Sequence, residues 1–213
     1  MTLLSASLYA ADPFRLAEEI DAVTGSVESF HLDVMDGRFA PEYGLTTRLV
    51  RELRELTSLP LDVHLMVDNP AASAVMFAEM RIRSIAIHVE SDVEFAQTAN
   101  IVRSHGVKVY AALRHTTSTM VLDSMLDHID GCLLLTAPAG GGSFDVNAFE
   151  RLATRPRSLY TVVDGKIGPE HFGRLKSLDV SLAVVGAAMF SAGPTAPRSR
   201  ELLASLERAA SVR

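Results

Sequence analysis

The sequence predicts a (β/α)8 barrel, an α/β fold, on three observations. Short apolar, β-branched runs alternate with longer amphipathic segments from end to end, which is the pattern of βα units around a parallel sheet. Eight such runs fit into 213 residues, a count that suits a small closed barrel better than an open doubly wound sheet with fewer strands. No GxGxxG follows the first apolar run, so the dinucleotide-binding alternative lacks its fingerprint.

The elements follow in order. Met1 to Ala11 is apolar and ends in small residues as a secretory leader would, but no basic stretch precedes it and Asp12 follows at once. It reads as a first strand, Leu3–Leu8. Asp12 as N-cap and Pro13 in the first turn predict a helix over Pro13–Val23. The second strand, Ser29–Val34, precedes helical spacing over Thr46–Leu56, and the third, Leu61–Met66, precedes Pro70–Met80. Strands at Ser84–Val89, Lys108–Leu113 and Gly131–Thr136 are followed by helices at Val93–His105, Thr119–Leu126 and Asn147–Ala153. Leu159–Val163 leads to Pro169–Leu178, and Leu182–Val185 leads through a loop with Gly193, Pro194 and Pro197 to a closing helix at Arg198–Ala210. No linker or shift in composition divides the chain, so residues 1–213 are expected to form one domain.

Composition narrows the function. With 48% hydrophobic and 22% charged residues the chain has a globular balance. A net charge of −6, with both signs interspersed, provides neither a basic stripe for nucleic acid nor a polybasic membrane patch. No run approaches a membrane-spanning length. The single cysteine lies in Cys132-Leu133-Leu134-Leu135, can form no internal disulfide, and is expected to pack as a small hydrophobe in a reducing cytoplasm.

Catalytic groups of a barrel gather at the carboxyl ends of its strands. Period-two alternation in Phe30-His31-Leu32-Asp33-Val34-Met35 turns His31, Asp33 and Met35 inward and leaves Leu32 and Val34 for the helices. In Leu61-Asp62-Val63-His64-Leu65-Met66 the same logic turns Asp62, His64 and Met66 inward, and the seventh strand presents Asp164 at the rim. Two imidazoles and two carboxylates on three strand ends suit a divalent transition metal, and spacing alone does not choose among Zn, Fe, Mn and Co. Carboxylates on different strands can also address opposite faces of a substrate, as epimerisation beside a ketone requires. Met35 and Met66 read either as a water-poor wall or as core filling. His88, His105, His115, His128 and His171 read as surface or structural, with His88 at a strand end near the pocket. A second, anion-binding end is expected from backbone amides at Gly140, Gly141 and Gly142, at Gly165, and at Gly186 and Ala187, all after the last three strands.

These segments resemble the ribulose-phosphate 3-epimerase family. The resemblance rests on His31-Leu32-Asp33-Val34-Met35-Asp36-Gly37-Arg38-Phe39 with Pro41, on Leu61 to Val67, and on Val163-Asp164-Gly165. Ser7, Asp12, Arg15-Leu16, His88-Val89-Glu90 and Val185 to Phe190 align in order as well. It implies a TIM barrel of the ribulose-phosphate-binding type and inversion at C3 of a ketopentose 5-phosphate through a metal-stabilised enediolate. It further implies metal ligation by His31, Asp33, His64 and Asp164, acid and base roles for Asp33 and Asp164, and substrate contact by Ser7. Met35 and Met66 match the methionines that line the enediolate site. Homo-oligomerisation is common among such proteins and is expected here.

The departures lie at the anion end. Thr136-Ala137-Pro138-Ala139-Gly140-Gly141-Gly142 stands in place of an Asn-Pro-Gly-Phe-Gly-Gly-Gln pattern and lacks its aromatic residue. Lys166 replaces a second glycine after the aspartate, Gly186-Ala187 a Gly-Ser, Arg114-His115 an Asn-Pro, and Glu42-Tyr43-Gly44 an Asn-Ile-Thr-like stretch. Arg114 and Lys166 are expected to rebuild anion recognition. D-ribulose 5-phosphate is the default substrate, and a tetrulose or hexulose phosphate is the rival. A decarboxylase or aldolase would leave the paired histidines without a task, and a non-catalytic sugar-phosphate sensor would not need all four ligands.

Overall fold

The computed structural model describes residues 2–190 and 204–210. Eight parallel strands close into a barrel in sequence order, each paired with its neighbours and the first with the eighth. They are β1 Leu3–Ser7, β2 Ser29–Met35, β3 Leu61–Met66, β4 Ser84–His88, β5 Lys108–Leu113, β6 Gly131–Leu135, β7 Tyr160–Asp164 and β8 Leu182–Val185. All eight predicted strands are present, with ends displaced by a residue at most.

Around them lie α1 Leu16–Val23, α2 Thr47–Leu56, α3 Ala71–Ala78, α4 Phe95–Ser104, α5 Ala148–Thr154, α6 Phe172–Ser177 and α7 Ala187–Phe190. A further helix covers residues 204–210, so part of the predicted closing helix and the loop before it fall outside the described residues. Most predicted helices shift at an end: Pro70–Met80 shortens to Ala71–Ala78, Val93–His105 to Phe95–Ser104, and Pro169–Leu178 opens with a 3-10 turn at Pro169–His171. The Asp12 carboxylate accepts from the Phe14 amide at 3.0 Å, closing a local turn, and Arg15 takes a non-helical conformation at the true N-cap. The helix therefore starts three residues after the expected Pro13. Thr46 is an N-cap, accepting from the Leu49 amide, rather than a helical residue. The segment after β5 forms 3-10 turns at Thr119–Ser124 and Leu126–His128 in place of an α-helix.

Two apolar layers follow from strand alternation. Outward residues such as Leu32, Val63, Ile85 and Val163 pack with Ile20, Leu53, Phe77 and Phe172 of the helices. Cys132 belongs to this layer, and burial pushes its thiol up to about 11, so it behaves as a small hydrophobe. Inward residues Met35, Met66, Tyr110, Leu133, Val162 and Val184 fill the barrel. The amino-terminal end is closed by polar pairs, with Ser29 donating to Ser5 at 2.9 Å, and Ser84 and Arg83 donating to Asp62 at 2.6 and 2.8 Å. The register of β2 on β3 sets His31 beside Asp62, Asp33 beside His64, and Met35 beside Met66.

Candidate active site

Four donor atoms meet at the carboxyl end of the barrel. Nε2 of His31 and Nδ1 of His64 each lie 3.3 Å from Oδ1 of Asp33, and 3.7 and 3.5 Å from Oδ2 of Asp164. The two nitrogens are 3.3 Å apart, and the whole set lies within 4.8 Å. A tetrahedral ion with bonds of about 2.0–2.1 Å has ligand–ligand edges of about 3.3–3.4 Å, close to the spacing of these donors. Asp33 Oδ1 is buried without a hydrogen-bond partner, a costly arrangement for a carboxylate unless a cation is its partner. The residues present thus fit a divalent metal.

Electrostatics agree with that geometry. Burial alone would raise Asp33, but His31 and His64 overcome it and hold the carboxyl well below the usual carboxylate range. Burial likewise opposes charge on His64, yet Asp164 and Asp33 bring it up to about 9, and His31 is raised by Asp33 and Asp164. The other Asp33 oxygen, Oδ2, accepts from the Ser7 hydroxyl at 2.8 Å.

A cavity of about 480 Å³ opens over this cluster. Asp33 and Asp164 form part of its wall with Ser7, Met35 and Met66, whereas His31 and His64 are buried behind the carboxylates. Of the predicted anion-binding residues, Gly140, Gly141, Gly165, Lys166, Gly186 and Ala187 line the cavity. Gly165 has φ +118, and a Cβ there would meet the Ala137 amide nitrogen at 2.7 Å, so the chain turns this closely only with glycine. Gly44 has the same function beside the reacting strand, since a Cβ would lie 2.3 Å from the Asp33 carbonyl oxygen. That approach lets the Gly44 and Leu45 amides bond the Met35 and Asp33 carbonyls at 3.2 and 2.8 Å, pinning the end of β2.

Two of the expected substrate-binding residues stand apart from the cavity lining. Arg114 does not line the cavity: its guanidinium lies 3.8 Å over the Phe39 ring and donates to the Phe39 carbonyl at 2.7 Å. Gly142 is also outside the lining, folded against Pro138.

His88 has closer ties to the site than its sequence reading gave it. It is fully buried, with Nε2 at 2.9 Å from Nε2 of His64 and Nδ1 at 2.9 Å from Glu90. Burial pushes His88 down to about 4 despite Glu90, while Glu90, which burial alone would raise, is brought down to about 2 by His88 and Thr117. The available signal was its inward parity with Ser84 and Ala86 at the end of the strand next to His64. Tyr9 and Glu170, also unpredicted, stand in the cavity wall.

The family model described as Ribulose-phosphate 3 epimerase family matches residues 3–190. Ribulose-phosphate 3-epimerase of Aquifex aeolicus is 29% identical over the full length of both chains. The Bacillus subtilis ribulose-phosphate 3-epimerase is 29% identical over 89% of this chain and 93% of its own. Among solved structures, KGPDC from Streptococcus mutans superposes with a TM-score of 0.74 at 12% identity, covering 98% of this chain and 98% of that one. Phosphoribosyl anthranilate isomerase from Thermococcus kodakaraensis does so with a TM-score of 0.71 at 15% identity over both full lengths. The structural neighbours speak for the barrel alone. The family match is a statement about this sequence, and since it spans all eight strands and all four donor residues, the chain belongs to the ribulose-phosphate 3-epimerase family.

Proposed function

We propose that this chain is a metal-dependent isomerase that inverts C3 beside the ketone of a ketose phosphate, with D-ribulose 5-phosphate as substrate. The observation that carries this reading is the convergence of His31, Asp33, His64 and Asp164 beneath a cavity into which both carboxylates open. A divalent cation held by these four residues, whether Zn, Fe, Mn or Co, supplies a Lewis acid that polarises the ketone and makes the adjacent C–H acidic.

The chain's own groups do the rest. Asp33 is anionic at neutral pH and moves the proton on one face of C3 through Oδ2, the oxygen that Ser7 holds at 2.8 Å. Asp164, on another strand, delivers a proton to the opposite face, which turns removal and return into inversion. Met35 and Met66 exclude water from the reacting carbon. Gly140, Gly141, Gly165, Lys166, Gly186 and Ala187 receive the phosphate at the other end of the cavity with backbone amides and one ammonium group. The lone Cys132 and the family membership support a cytoplasmic homo-oligomer. Among the described residues no helix is long and apolar enough to cross a membrane.

The rebuilt rim supports a second reading within the same chemistry, in which a tetrulose or hexulose phosphate is the substrate: Lys166 is exposed at the mouth. A panel of ketose phosphates incubated with the metal-loaded protein in D2O separates the two. Deuterium uptake at C3 with inversion is expected on ribulose 5-phosphate, and its appearance only on another ketose phosphate selects the second reading. No uptake on any ketose phosphate removes both.

A further inference from the structure

We propose that His88 and Glu90 form a relay that fixes His64 in the ring tautomer able to hold a cation, making both of them positioning residues. The proposal rests on the metal-site reading above. Its basis is a line of contacts from β3 to the end of β4, from Nε2 of His64 to Nε2 of His88, then from Nδ1 of His88 to Glu90, each 2.9 Å long.

The proton order follows from what each atom can do. A carboxylate at neutral pH only accepts, so the proton between His88 and Glu90 sits on His88 Nδ1. Two ring nitrogens at 2.9 Å share one proton. His88 is fully buried, with the Phe39 ring 4.5 Å away and the Arg114 guanidinium stacked on that same ring. A His64 that holds a cation through Nδ1 keeps its single proton on Nε2, so the short contact between the rings is a donation from His64 to His88. His88 Nε2 is therefore bare, and the shared proton belongs to His64 Nε2. A neutral His64 protonated at Nε2 has its lone pair on Nδ1, the nitrogen facing His31, Asp33 and Asp164.

Glu90 is itself braced. Its Oε1 accepts from the Arg114 amide at 2.8 Å and from the Thr117 hydroxyl. The anchoring donors come from the loop after β5, so a segment away from the cavity sets the orientation of a ring at its floor. Partners of this kind behind metal-ligating histidines typically govern affinity by about 10- to 100-fold.

The test is zinc affinity of the metal-free protein, measured by competition with a chromophoric chelator, together with imidazole 15N shifts of the zinc-loaded protein. His88→Phe keeps a ring but offers no acceptor, and should weaken zinc binding at least about tenfold. His88→Gln places an amide oxygen near the lost nitrogen and should recover most of that loss. In the wild-type protein the shifts should report His88 protonated at Nδ1 and bare at Nε2. Equal zinc affinity in His88→Phe, or a His88 protonated at Nε2, would overturn the relay, and the second measurement needs no variant to fold. Wild-type protein that binds no zinc at all would instead sink the four-residue site, and the relay with it.

Discussion

Arg114 stacks its guanidinium on Phe39 and donates to the carbonyl of that same residue, with Cζ 3.8 Å from the ring centroid and a 2.7 Å hydrogen bond. Its charge is committed to the loop after β2, away from the substrate cavity. Arg114→Ala should therefore cost about 1–2 kcal/mol of stability from the lost cation–π contact and hydrogen bond, read as a lower denaturation midpoint. Lys166→Ala, on the cavity rim, should instead raise KM for the ketose phosphate about tenfold with little change in stability. A KM effect larger for Arg114 than for Lys166 would contradict this division.

The two aspartates should separate in isotope exchange. Asp33→Asn and Asp164→Asn should each lower epimerisation by about 10²- to 10⁴-fold. Starting from one pure epimer, one variant should still exchange the C3 proton with D2O and the other should not, and the order should reverse from the other epimer. Retained exchange from both epimers in either variant would mean one base serves both faces.

Removing the metal should abolish turnover and lower Tm, because any ion that binds only the folded chain stabilises it by mass action. Dialysis against a chelator, then addition of Zn, Fe, Mn or Co one at a time, should restore both. Activity untouched by exhaustive chelation would count against the metal reading.

Glu90 should give acid sensitivity of defined sign. Its carboxyl lies at about 2 in the folded chain against an ordinary 4.5, so its contribution is present above about pH 4.5 and disappears as pH falls through about 2. Wild type should exceed Glu90→Gln by about 1–2 kcal/mol at pH 7, allowing for the partial exposure of the group. Denaturation curves across pH 7 to 2 should show that advantage shrinking with acid; an advantage that grows would reverse the assignment.

Gly165→Ala places a Cβ 2.7 Å from a backbone nitrogen at φ +118. More than about 1 kcal/mol should be lost, together with affinity for the phosphate, since the turn after Asp164 must open. Unchanged KM and Tm would show that the turn is looser than its geometry.

Much of this was legible in the sequence for identifiable reasons. β3 is buried along its whole length, and its alternation of Asp62, His64 and Met66 with apolar residues admits one orientation only in a barrel. His31 and Asp33 follow from the same parity, and Asp164 from its place at a strand end. Arg114 was not legible, since its partner Phe39 is 75 residues away and only loop conformation brings them together. His88 carried the correct parity, but its contact with His64 depends on two ring rotations that spacing does not encode. The start of α1 was misplaced because Asp12 can cap either a helix or a turn, and Arg15 decides the matter through its backbone conformation.

The register of β2 on β3 places Asp33 next to His64, and a slip of one residue would turn every side chain of a strand to the opposite face. His64 would then sit among the helices and Val63 or Leu65 in its place. Asp33 and His64 therefore share one site only when β2 and β3 pair in this register. In a refolded sample, recovered turnover should therefore rise with the fraction of molecules in which the two strands have found that register.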